Sequence, residues 1–403
     1  MSSSSAPAAA GEPSATDWPA ILAVIAAGVL VSIQLGKLPP LLTQLRAEFG
    51  LGMVLAGLVA SSFNLVGAAT GIIAGVASDR IGSSRALGLG LLITAAGSLL
   101  GGLADGIPLL LAARLVEGCG FVLTVVSGPS LLTAATRPQD RSLALGLWSS
   151  YMPLGVAFGM FGALLVGRLF DWRGLWFLLA AVMVLAALLI LRRTRTIALP
   201  PARRFGIAPL RRPGPWLLAG CFACYTTQWF AIVTWIPTYL RDSGVTSEAV
   251  IAAGAALVVL VNVAGNMISA ALMHRGLPRW LIIAVISVAM GAFGVATFDT
   301  ALPVPAKILL AMAASGFGGM LPAAVLASVP RQARQPGEIA TVNGAVIQLL
   351  NIGSFLGPPG LAALVTHLGG WDAGRWLLLG TGLASLVLAL ALRQVERRQE
   401  AGS

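Results

Sequence analysis

Charge is what this chain has least of. Only 10% of its 403 residues are Asp, Glu, Lys or Arg, against roughly 25% in soluble domains. A soluble fold of this length needs a charged surface, so the shortage excludes one. Histidine is nearly absent too: His274 and His367 are the two in the chain, far apart in sequence. With no His/Cys cluster at metal-ligand spacing and no nucleophile motif, neither a metal nor a membrane enzyme is expected. No G-x-x-x-x-G-K-S/T loop is present, so ATP is not the direct driver and no cofactor is expected. The three cysteines are Cys119, Cys221 and Cys224. The last two form a C-x-x-C inside an apolar run, which reads as small residues packing on one helical face rather than redox or metal chemistry. Residues 1–17 hold no Lys or Arg. They read as a disordered cytoplasmic tail, because a secretory leader starts with basic residues.

What fills the chain instead is apolar: 57% of residues are hydrophobic, gathered in runs of about 20 or more, the length that crosses a hydrocarbon core of roughly 30 Å. Twelve such runs, bounded by Pro, Gly and charge, predict twelve membrane helices. They fall near 18–44, 51–77, 86–104, 107–134, 142–167 and 173–192, then 215–240, 247–273, 279–298, 304–328, 338–366 and 374–393. The longest polar break, "RRTRTIALPPARRFGIAPLRRPGP", holds seven arginines and five prolines near the middle of the chain. The organisation expected is therefore tail 1–17, a six-helix bundle 18–193, an Arg/Pro linker 194–214, a second bundle 215–393 and a tail 394–403. The two halves repeat weakly at an offset near 197 residues: "WPAILAV" and "LPPLL" in one answer "PWLLAG" and "WIPTYL" in the other. Two such halves suggest a transporter with its substrate site between them.

The net charge of +11 comes from arginines in short loops, so it marks topology rather than nucleic-acid binding. With both termini cytoplasmic, 18 of the 26 Lys/Arg lie on the cytoplasmic side, which predicts that orientation.

One loop stands out. "GVASDRIGSSR", residues 75–85, sits between the second and third spans. Gly75, Asp79, Arg80, Gly82 and Arg85 match G-x-x-x-D-R-x-G-x-x-R/K, the signature of the major facilitator superfamily, which the chain resembles over about residues 18–393. In the fourth span "ARLVEGCG" resembles that family's R-x-x-x-G-x-G pattern through Arg114, Gly118 and Gly120. The resemblance implies a twelve-helix fold that works by rocking its halves. It implies a cytoplasmic latch at Asp79, Arg80 and Arg85, unless the loop only sets topology, and a role for Arg114 in coupling and substrate charge. The second-half copy, "MHRGLPR", is degenerate. The drug-antiporter pattern G-x-x-x-G-P-x-x-G-G is missing from the fifth span, where Pro153, Gly155 and Gly159 stand without the Gly-Pro pair. Local patterns such as "ARLVEGCGFVLTVVSGPSLL" and "NVAGNMISAALMHRG" resemble the bacterial cyanate-transporter-like and nitroimidazole-transporter-like branch.

Ionisable groups inside spans are costly and are functional candidates by default. Glu117, three residues from Arg114, is placed to pair with it. Lys37 reads either as snorkelling to the interface or as a point charge for an anion, with Gln34 one turn away. Tyr225 and Gln228 in the seventh span are neutral candidates. Trp148, Tyr151 and Asn351 are weaker ones, and Trp235 reads as an interfacial belt residue. Lys37 and Arg114 outnumber the one in-span carboxylate, favouring an anionic substrate. The expectation is a monomeric transporter of the bacterial inner membrane that moves a small organic anion by alternating access. Glu117 is its candidate for proton coupling, and Lys37, Arg114, Gln34, Tyr225 and Gln228 are its substrate contacts. Multidrug or metabolite efflux on the same fold is the alternative; a receptor that has lost transport is a more distant one.

Overall fold

In hydrocarbon no water can satisfy an open backbone, so long apolar runs must close their hydrogen bonds within a helix. The computed structural model describes residues 15–166, 171–194, 197, 208–275, 277–333 and 338–401, with no strand among them. The described residues form fifteen α-helices. The first half holds α1 (Trp18–Gly36), α2 (Leu38–Phe49), α3 (Met53–Ile81), α4 (Ser83–Gly102), α5 (Ile107–Ala135), α6 (Arg141–Trp148), α7 (Tyr151–Val166) and α8 (Trp172–Thr194). The second holds α9 (Pro213–Asp242), α10 (Glu248–His274), α11 (Arg279–Thr297), α12 (Val304–Gly318), α13 (Met320–Gln332), α14 (Ile339–Leu368) and α15 (Gly374–Ala401).

Among the described residues, twelve segments are long and apolar enough to cross a membrane. Three of them are broken: the first between α1 and α2, the fifth between α6 and α7, and the tenth between α12 and α13. Twelve crossings return the chain to the side on which α1 begins, here called the terminal face. Residues 394–401, expected as a tail, instead continue α15, since Gln, Glu, Arg and Ala are good helix formers. Residues 1–14 of the expected tail and 195, 196 and 198–207 of the expected linker lie outside the described residues.

The first break has a local cause. Pro39 and Pro40 have no N–H to continue the ladder, so α1 ends at Gly36 and α2 starts afresh, with Lys37 between them. Glycines then let α7 lie against this broken span. A Cβ at Gly155 would stand 2.3 Å from the Val29 carbonyl oxygen, and one at Gly159 2.5 Å from that of Ile33.

The halves meet chiefly through α3 against α14 and α7 against α10. Gly67 leaves room for Asn351, and Gly71 lies against Ile347 and Gln348. At the face opposite the termini, Arg241 at the end of α9 donates to the Pro40 carbonyl at 3.3 Å and the Thr43 hydroxyl at 3.1 Å, while holding Glu248 at 2.5 Å. One second-half arginine thus closes on the end of the first span.

Candidate functional site

Four of the sequence candidates come together in the first half. Lys37, in the break between α1 and α2, reaches across to α5 and places Nζ 2.7 Å from Glu117 Oε1. Arg114, one turn earlier on α5, donates from Nη1 to Glu117 Oε2 at 2.6 Å. The same nitrogen donates to the Gln34 carbonyl at 2.9 Å, and Nη2 donates to the Ala60 carbonyl at 3.4 Å. Ser98 on α4 accepts from Lys37 at 3.3 Å and donates to Gln34 Oε1 at 3.4 Å. Lys37, Arg114, Glu117 and Gln34 are all 0% exposed.

Each oxygen of the Glu117 carboxylate thus holds one cation, and the cluster keeps one positive charge. Burying ions costs several kcal/mol each unless they are paired and hydrogen-bonded, and the surroundings help meet that cost. The Lys37 ammonium lies 3.8 Å from the centre of the Trp176 ring, and the Arg114 guanidinium 4.7 Å from that of Phe63, where the negative face of the ring attracts a cation. Space is made by two glycines on α4. A Cβ at Gly97 would come within 2.6 Å of the Glu117 backbone nitrogen and 2.8 Å of its Cγ; one at Gly101 would come within 2.3 Å of Trp176. Burial removes the snorkelling reading of Lys37: its ammonium points into the bundle.

Ser98, Trp176, Phe63, Gly97 and Gly101 were not legible as parts of this site. The one available signal was the i, i+4 spacing of the two glycines, a sign of close helix approach.

The second-half candidates sit apart. Tyr225 is buried with its hydroxyl accepting from Asn262 Nδ2 at 3.1 Å; the same nitrogen donates to the Ser315 carbonyl at 2.9 Å, beside the break between α12 and α13. Trp229 donates to the Ser315 hydroxyl at 3.0 Å. Gln228 is buried near Gly382 of α15, and its Oε1 has no partner among the described residues. Neither Tyr225 nor Gln228 hydrogen-bonds to the charged cluster. Trp235, expected in an interfacial belt, is instead 0% exposed, its indole donating to the Pro358 carbonyl at 2.8 Å. A buried indole takes a carbonyl partner where a belt residue would take water.

In the signature loop, Gly82 ends α3 and begins α4 with φ +90°. That conformation suits a residue without Cβ and gives the motif glycine its reason. Arg80 and Arg85 are exposed, and the side chain of Asp79 lies outside the described residues.

Comparison with known proteins agrees with this architecture. The family model described as Major Facilitator Superfamily matches residues 21–358. A "Sodium-dependent phosphate transport protein 1, chloroplastic" of Arabidopsis thaliana is 26% identical over 56% of this chain and 48% of its own length. A "Lincomycin resistance protein" of Streptomyces lincolnensis is 25% identical over 48% of this chain and 42% of its own length. The chain thus spans under half the length of these two relatives. "Cyanate transport protein CynX" of Escherichia coli is 24% identical over 76% of this chain and 79% of its own length. A bacterial homolog of the human lysosomal transporter Spinster, crystallised in an inward-facing and occupied conformation, superposes with a TM-score of 0.75 at 18% identity, covering 94% of this chain and 96% of that one. Twelve spans in two six-span halves, a signature loop between the second and third, and a family match over most of the length lead to one conclusion: the chain belongs to the major facilitator superfamily and is a multi-pass membrane protein.

Proposed function

We propose that the protein is a secondary transporter that carries a small organic anion across the bacterial inner membrane by alternating access, coupled to protons. The observation that carries this reading is the buried cluster in which two cations share one carboxylate. A cavity for a lipophilic cation calls for an unpaired acid, and Glu117 is doubly engaged. An anion is served by Lys37 and Arg114, but it must compete with Glu117 for them. Protonating Glu117 weakens its hold on both cations at once. Proton and anion therefore bind together, which is the logic of symport.

In this reading Lys37 and Arg114 carry substrate charge, Glu117 carries the proton, and Gln34, Tyr225 and Gln228 supply neutral contacts. Asp79, Arg80 and Arg85 form the latch at the terminal face, which is cytoplasmic by the distribution of arginine. The protein acts as a monomer. The names of the phosphate and cyanate relatives support an anion.

The test is uptake of labelled phosphate, cyanate and a sugar acid into proteoliposomes, with and without an inward proton gradient. At least one should accumulate only with the gradient. Glu117→Gln should retain exchange of that anion but lose its response to the gradient. Expulsion of cationic drugs with no anion uptake would overturn the assignment and favour efflux, the reading consistent with the lincomycin-resistance relative.

A further inference from the structure

The strongest unassigned feature lies far from the charged cluster, at the terminal end of the second half. There the ends of α10, α13 and α15 and the start of α11 enclose a pocket of about 400 Å³. Among the described residues its wall carries four arginines, Arg279, Arg331, Arg393 and Arg397, and one acid, Glu396. Arg279 lies within electrostatic reach of both Arg331 and Glu396. The four come from three different helices, so folding has gathered like charges that repel one another. Glu396 is itself buried and shared with Gln332, which donates to it at 3.5 Å.

Three further observations favour an anion in this pocket. The Arg393 guanidinium carbon lies over the Trp280 ring, 4.1 Å from its centre, and its Nε is buried with no partner among the described residues. The first turn of α11 opens at the pocket, and its N-cap is Pro278, which supplies no capping side chain. The Leu281 amide of that turn already donates to the Pro278 carbonyl at 3.0 Å, and the turn carries the positive end of the helix dipole toward the pocket. Arg331 and Arg397 are exposed, so the pocket opens outward.

We propose that this pocket binds a phosphate group, borne either by an anionic phospholipid headgroup or by a soluble phosphate. Planar guanidiniums suit phosphate oxygens because each can donate two parallel hydrogen bonds. A lipid fits the surroundings: Met273, Leu277 and Trp280 form an apolar side to the same pocket, where acyl chains can descend along the spans while the headgroup stays among the arginines. This site is independent of the transport reading.

The test is native mass spectrometry of the full chain in detergent, titrated with phosphatidylglycerol, phosphatidylcholine or inorganic phosphate. Phosphatidylglycerol should bind more tightly than phosphatidylcholine. Each arginine near an anionic lipid surface contributes about fivefold in affinity, so R397Q should weaken binding about fivefold and R393Q/R397Q about 25-fold by the same rule. Arg397 is exposed, so its variant folds even where Arg393→Gln disturbs packing. R398Q, an exposed arginine not in the pocket wall, should bind as wild type. Retention of inorganic phosphate with the same dependence on Arg397, and no preference between the two lipids, would also support the site and identify a soluble ligand. Equal binding of both lipids with no phosphate retention, or phosphatidylglycerol affinity unchanged in R397Q and R393Q/R397Q, would overturn it.

Discussion

Glu117 is the side chain on which the first half depends. Its carboxylate faces two fully buried cations, so removing it leaves both uncompensated. Glu117→Ala should cost about 3–5 kcal/mol, the usual result of breaking a buried pair from one side. Lys37→Met removes one cation and leaves the Arg114–Glu117 pair, which is neutral. It should cost distinctly less, because a buried charge replaced by an apolar chain of similar length is often tolerated. Thermal unfolding in detergent ranks the two. If Lys37→Met is as damaging as Glu117→Ala, Lys37 matters for more than charge balance, and its seat on Trp176 becomes the candidate cause. Ligand binding reads the other side of the same residues. In Lys37→Met protein that keeps its fold, binding of the proposed anionic substrate should be lost.

Helices approach closely here because small residues face the contacts. The α4–α5 pair shows this most directly: Gly97 lies against the backbone and side chain of Glu117, so helix packing and charge placement are one feature. Gly97→Ala should cost about 1–3 kcal/mol, as overpacking does, and should shift the melting temperature without removing any charged group. Gly155 and Gly159 play the same packing part between α7 and α1, which is what the glycines of the incomplete antiporter pattern do in this chain. Gly82 differs, since nothing lies near the position of its absent Cβ. Its φ of +90° alone disfavours a side chain, and Gly82→Ala should cost about 1–3 kcal/mol in backbone strain, with the same melting measurement as the check. A wild-type melting temperature would show that the α3–α4 corner re-forms with another turn.

For the molecule as a whole, the two halves are joined at the face opposite the termini by Arg241 through Pro40 and Thr43. The alternating access proposed above requires that junction to part. Arg241→Ala should therefore shift the equilibrium toward separation at this face. Spin labels at Gln44 and Thr246, both exposed and on opposite halves, would report it in a background lacking the three native cysteines. The expected outcome is a larger population at long distance in the variant. An unchanged distance distribution would assign closure to the α3–α14 contact around Gly67 and Asn351 instead.

Sequence alone determined the class, because hydrocarbon permits few architectures. Twelve apolar runs must be helices, their loops must alternate sides, and "GVASDRIGSSR" marks the family. It also determined the Arg114–Glu117 pair, since residues three apart on a helix are neighbours. Only the tertiary structure decided the rest of the site. Lys37 and Glu117 are 80 residues apart, and no helical period joins them; the break at Pro39–Pro40 turns Lys37 inward, and Gly97 and Gly101 open the space it enters. Trp235 was misread for the same reason: an indole near the end of an apolar run looks alike from sequence whether lipid or α14 lies beside it. Which groups share a buried charge depends on how close helices from distant parts of the chain can come. That distance is set by small residues on both partners at once.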